Sequence, residues 1–355
     1  MCKMVTLKKI AVYLIFVLLL GLIAGCGDNQ SASSSEGDGN SKSVTLKLAH
    51  QWAGPQNGTG DYRSLLAERF AEEVEKASDG SIKIQVFPAN SLVKATEQYD
   101  SLNSGAIDMA IWAPFYDAGK VPEFSITLLP GIIQSFDQAW QWKDEEVGKE
   151  FNTLLEDNGV KNLVWGWGTM AIATKNKEVI SPEDLKGLKI RGAGKDTEKM
   201  LSQLGAGITS MASSEIYSAL QTNTIDGTLT SFDSFLSYRI YEVVDYFNYT
   251  GGNSFLYSAN PLVISNHAWE NKLSSEQQQI IEKVSADLQD WVKETAIESN
   301  SETVQVFRDN GVKVHEMTPE ESQEWFDAAQ PIVEEFAQTS DTANELVEAA
   351  KKLHK

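Results

Sequence analysis

Arg191 closes the segment SPEDLKGLKIR, Ser181 to Arg191. A guanidinium is a planar fork of donors that pairs with a carboxylate at two points and keeps its charge at neutral pH. Here it stands at the end of a short apolar strand, and strand ends in α/β sheets are where ligands bind. Two further segments follow, SSEIYSALQ from Ser213 to Gln221 and Ile225-Asp226-Gly227. The chemistry implied is capture of a small organic anion.

Turnover is not supported by the residues. His50, His267, His315 and His354 are scattered without metal-ligand spacing. No G-x-S-x-G elbow is present. Gly192-Ala193-Gly194-Lys195 ends like a phosphate loop, but Asp196 follows the lysine and Lys189 stands where the first glycine belongs. No metal, cofactor or catalytic residue is expected.

The elements that must position Arg191 alternate. Val44, Leu46 and Leu48 have strand period, a helix is predicted from Asp61 to Ser78, and Ile82, Ile84 and Val86 form the next strand. A helix near Thr96 to Ser104 and a strand at Ile107, Met109 and Ile111 repeat the unit. A second series starts near Trp167. It has a capped helix start at Ser181-Pro182-Glu183-Asp184, a strand from Leu188 to Arg191, helices near Thr197–Leu204 and Ser214–Thr222, and a strand from Ile225 to Leu229. Phe255–Tyr257 and Pro261–Ile264 are predicted to return to the first lobe. This alternation predicts an α/β fold with largely parallel sheets. Ser275 to Asp309 carries one helical stripe, about 50 Å long at 1.5 Å per residue. It is expected to brace both lobes, and Thr318-Pro319-Glu320-Glu321 opens a C-terminal helix.

A length of 355 residues predicts two lobes. The formal charge of −20 argues against a nucleic-acid partner, and it leaves anion capture to local positive groups. Lys3, Lys8 and Lys9 precede an apolar run, Ile10 to Ile23, that ends in Ile23-Ala24-Gly25-Cys26. This reads as a signal peptide whose end resembles the bacterial lipobox, with Cys26 acylated. A permanent membrane anchor is the alternative, but the run is shorter than the ~20 residues of a span. Loss of residues 1–25 removes three lysines and no acids, leaving 27 basic against 50 acidic residues, or −23. Asp28 to Ser43 is polar and reads as a tether.

The order VTLKLAHQW, GSIKIQVFPANSL, LNSGAIDMA, VPEFSITLLP, SPEDLKGLKIR and SSEIYSALQTNTIDG resembles the DctP-type solute-binding subunits of TRAP transporters. The resemblance runs from about Val44 to past Trp291. It implies a two-lobe periplasmic-binding-protein-like fold with a long helix spanning both lobes. It also implies closure on an organic anion and delivery to TRAP permease membrane subunits driven by a sodium gradient. Arg191 would clamp a carboxylate, Ser213 and Ser214 would face the cleft, and the loop after Asp226-Gly227 would supply a polar residue, here near Ser231.

Two departures bear on the ligand. A basic residue common before the Arg191 strand is replaced by Thr169-Met170-Ala171, and the common QEN-type segment is Thr228-Leu229-Thr230-Ser231-Phe232. The cleft candidates are aromatic instead: Trp52, Trp112, Phe115, Trp165, Trp167, Phe232 and Phe235, with Met170 beside them. They suit a monocarboxylate with an apolar or aromatic body. Arg63 or Arg239 could still serve a second acid group.

The expected organisation is residues 1–25 signal, 26–43 tether, 44–166 first lobe and 167–253 second lobe. Residues 254–290 return to the first lobe and begin the long helix, and 291–355 complete it with C-terminal helices on the second lobe. A monomer is expected, lipid-anchored on the outer face of the cytoplasmic membrane. The competing readings are a receptor of an ATP-driven importer and a secreted lipoprotein hydrolase.

Overall fold

The computed structural model describes residues 43–251 and 253–354. The signal segment, Cys26 and nearly all of the tether lie outside them. Twelve strands in the described residues are numbered along the chain: β1 Val44–Ala49, β2 Ile82–Phe87, β3 Met109–Ile111, β4 Val160–Val164, β5 Trp167–Thr174, β6 Lys189–Gly192, β7 Gly207–Ser210, β8 Gly227–Ser231, β9 Tyr246–Thr250, β10 Tyr257–Ala259, β11 Leu262–Ser265 and β12 Lys313–Met317. They form two sheets. The first has the order β2-β1-β3-β11-β4; the second has β12-β9-β5-β8-β6-β7, with β10 paired to β5.

Both sheets are mixed rather than largely parallel. β1 runs parallel to β2 and β3, whereas β11 is antiparallel to β3 and β4. β6 runs parallel to β7 and β8, whereas β5 is antiparallel to β8, β9 and β10. The exceptions are the strands at the crossings. The chain passes directly from β4 to β5 and from β10 to β11, without the crossover helix that makes neighbours parallel. β10 therefore belongs to the second sheet, not to the first lobe as its sequence suggested.

The two crossings touch: the Asn260 amide donates to the Gly166 carbonyl at 2.7 Å. A Cβ on Gly166 would lie 2.6 Å from the Asn260 carbonyl oxygen, so only glycine permits the approach. The helix Ser275–Asp309, 35 residues long, lies along both lobes. Ile281, Val284, Leu288, Val292 and Ala296 are buried, and it packs on the helices Tyr62–Ala77 and Phe232–Ser237. Its Gln289 side chain pairs with the backbone N–H and carbonyl of Trp165 at 2.9 Å each, pinning one crossing.

Local signals explain most helix ends. Asp61 caps Tyr62–Ala77, and capping boxes at Ser274/Gln277 and Thr318/Glu321 start the long helix and the helix Pro319–Ala337. The start at Ser181 leads only to one 3-10 turn, Pro182–Leu185, because Gly187 turns the chain at φ 79°. The last helix, Asp341–Lys351, buries Leu346, Val347 and Ala350 against Glu146–Asp157 of the first lobe, not against the second. Its predecessor, Pro319–Ala337, packs on Lys195–Gln203 of the second.

Candidate functional site

The parallel strands of both lobes end at one cleft. Gln51 and Trp52 follow β1, and Phe115 and Tyr116 lie in the turn after β3. Arg191 is the penultimate residue of β6, and Thr230 and Ser231 end β8. They line a small cavity of about 20 Å³, room for one or two waters. A larger groove of about 330 Å³ opens outward from it and shares Phe115, Tyr116 and Ala193.

Arg191 is 1% exposed. Its Nε and Nη2 donate to the Met211 carbonyl at 3.1 and 3.0 Å, and Nη1 donates to the Leu229 carbonyl at 3.0 Å. These neutral acceptors fix the guanidinium without cancelling its charge. A further Nη2 bond of 3.1 Å reaches the phenol oxygen of Tyr116, which also accepts from the Ser213 backbone N–H at 3.1 Å. Two donors of the second lobe thus converge on one oxygen of the first.

Of the two arginines that could serve a second acid group, Arg63 reaches the site and Arg239 does not. Arg63, in the first turn of Tyr62–Ala77, lines the same cavity and is 1% exposed. Its guanidinium pairs with Asp61 through Nε–Oδ1 and Nη2–Oδ2, both 2.7 Å. Nη1 donates to Ser231 Oγ at 3.2 Å and to Asn260 Oδ1 at 3.1 Å, and Nη2 donates to Ser234 Oγ at 3.2 Å. Trp52 lies under it, 4.0 Å from ring centre to guanidinium carbon. Burial opposes its charge, yet Asp61 holds Arg63 protonated well above the ordinary arginine range. Burial pushes the nearby Asp233 carboxyl up, with Arg63 working against that rise. Burial also lowers His50, next to Trp52, to about 4, so it is neutral at pH 7.

The lobes bond directly across the cleft. Ser213 Oγ donates to Gln51 Oε1 at 3.1 Å, Tyr238 donates to the Gln51 carbonyl at 3.2 Å, and Asn90 Nδ2 donates to Ser214 Oγ at 3.2 Å.

Of the residues expected in the cleft, Arg191, Trp52, Phe115, Met170, Ser213 and Ser231 line the cavity together. Ser214 lies at the lobe contact instead. Trp112 stacks on Tyr99 in the first core, and its indole donates to Asp117 at 3.0 Å. Trp167 packs between Trp142 and Trp165, while Phe232 and Phe235 pack on Phe247 in the second core. These rings are core because their strands and helices turn them inward. Arg239 is an exposed residue at φ 54°, paired with Glu242. Gln51, Tyr116, Thr230, Ser234, Ser258 and Asn260 complete the wall without having been singled out. Only the Asp61-x-Arg63 pair at a helix start offered a local signal.

Two α/β lobes, joined by paired crossings and closed over a charged cleft, define a two-lobed binding receptor for a small solute. The comparisons give the family. Residues 55–339 match the family model for bacterial extracellular solute-binding protein, family 7, DctP. The chain belongs to that family, the extracytoplasmic receptors of TRAP transporters, which are not enzymes. It is 35% identical over 284 residues to a solute-binding protein of Albidiferax ferrireducens, covering 80% of this chain and 84% of the relative. It is 29% identical to the C4-dicarboxylate-binding periplasmic protein DctP of Rhodobacter capsulatus, covering 77% and 81%. A TRAP periplasmic solute-binding protein from Rhodoferax ferrireducens, solved with bound malonate, superposes with a TM-score of 0.83 at 34% identity. It covers 86% of this chain and 97% of its own.

Proposed function

We propose that this receptor takes a small organic monoanion, a carboxylate gripped by Arg191, and delivers it to TRAP permease subunits. One observation carries the reading: Arg191 Nη2 and the Ser213 N–H meet at a single oxygen, that of Tyr116. Two such donors fit a carboxylate oxygen, and a ligand would take the place of the phenol. Trp52, Phe115 and Met170 offer apolar wall for its body. The other cavity arginine is already paired with Asp61, so within this cavity it does not offer a second carboxylate a free fork. A second buried carboxylate without a partner costs several kcal/mol.

A thermal-shift panel tests this. Malonate, succinate, malate, keto acids, aromatic acids and sulfonates should be compared, and a monocarboxylate is expected to give the largest stabilisation. Malonate is the pointed control because a relative holds it. If a dicarboxylate stabilised most, the monoanion reading would fail and the receptor reading would stand.

The proposal includes a lipid anchor at Cys26 on the outer face of the cytoplasmic membrane, following the apolar run Ile10–Ile23. Cys26→Ser is expected to abolish labelling by a fatty-acid analogue and to leave the precursor uncleaved. Label persisting in the serine variant would rule out the anchor.

A further inference from the structure

We propose that Asp61 sets the charge class of the ligand: by occupying the fork of Arg63 it keeps that arginine from reading a carboxylate. This inference rests on the monoanion reading above and names the residue responsible for it.

The geometry separates the two cavity arginines. Arg191 meets three neutral oxygens, those of Met211, Leu229 and Tyr116. Arg63 makes the two-point contact that a ligand carboxylate would otherwise make, but with Asp61, at 2.7 Å through both bonds. Its other bonds go to Ser231, Ser234 and Asn260, all neutral groups reached from the second lobe or the crossing. Every side of the fork is therefore satisfied inside the protein. Both members of the ion pair are buried, with side chains 2% and 1% exposed, so solvent does not compete for either.

Asp61 also receives the Arg63 backbone N–H at 3.0 Å and caps the helix. The cap and the neutralising role use the same carboxylate, so the position cannot change charge without exposing Arg63 to the cavity. With Asp61 in place, this end of the cleft presents a closed ion pair flanked by hydroxyls, an amide and the nearby buried carboxyl of Asp233. That suits a ligand whose far end carries hydroxyl or amide groups, and it disfavours a second carboxylate.

The test is isothermal titration of malonate, succinate and the best monocarboxylate of the panel against wild type, Asp61→Ser and Asp61→Asn. Serine keeps a capping oxygen and opens the fork; asparagine keeps the shape and removes the charge. The readout is the ratio of dicarboxylate to monocarboxylate affinity, which a loss of folding stability alone does not move. That ratio is expected to rise about tenfold or more in Asp61→Ser and in the same direction in Asp61→Asn. The gain should vanish in the double variant Asp61→Ser/Arg63→Gln, because it is exerted through Arg63. An unchanged ratio in either folded single variant overturns the proposal, as does a gain that survives in the double variant. If Asp61→Ser does not fold, the near-isosteric Asp61→Asn decides alone. A wild type that already prefers the dicarboxylate would overturn the monoanion reading itself, an outcome visible before any variant is made.

Discussion

Arg191→Ala should lower affinity for the native ligand on the order of hundreds-fold or more while the chain stays folded. The ligand's carboxylate enters a cavity with little water, where an unpaired charge costs about 3–5 kcal/mol. Each 1.4 kcal/mol is about tenfold in affinity. The fold survives because the truncation leaves only neutral groups behind, the carbonyls of Met211 and Leu229 and the Tyr116 phenol. The space vacated by the side chain adds to the existing cavity and can admit water to them. Arg191→Lys should also bind poorly. An ammonium cannot hold the two carbonyls and a carboxylate in one plane. The ligand for these titrations is the one recovered from the purified protein by mass spectrometry. Calorimetry showing near-wild-type affinity in the alanine variant would remove Arg191 from the clamp.

Arg63→Ala should do the opposite, damaging stability first. It leaves the buried Asp61 carboxylate without its counter-ion, and breaking a buried pair from one side costs about 3–5 kcal/mol. For a chain of this size that is a fall in melting temperature of roughly 5–10 °C. Adding Asp61→Asn to the same chain should recover much of the loss, since the uncompensated charge is then gone. Thermal unfolding followed by circular dichroism measures both. A shift of a degree or less in Arg63→Ala would mean that Asp61 finds another partner or stays solvated. The two buried arginines thus separate by their acceptors: neutral oxygens around Arg191, a carboxylate around Arg63.

The difference between legible and illegible features runs along sequence separation. The long helix was predicted over Ser275–Asp309 and found there, because its stripe and its capping box are written within neighbouring turns. The strand carrying Arg191 was legible for the same reason; the ordered motifs pointed to the family that the comparisons show, and the seat of Ser213 was an expectation of that resemblance. Sheet direction was not, since nothing local distinguishes a strand reached through a helix from β5 or β11, which are reached straight from the other lobe. Trp112, Trp167 and Phe232 could not be told from cavity walls, because an aromatic ring at a strand end satisfies either site until packing chooses.

By itself the sequence determined an α/β receptor with one arginine poised at a strand end. Local periodicity, caps and motif order are sufficient for that. Tertiary structure alone decided that Arg63, and not Arg239, shares the cavity and is already paired. The acceptors that hold Arg63 there, Ser231 and Asn260, lie 168 and 197 residues away along the chain. No period or spacing encodes contacts at that separation. They exist only once two lobes fold around paired crossings and bring β8 and the Gly166–Asn260 junction onto the first turn of one helix.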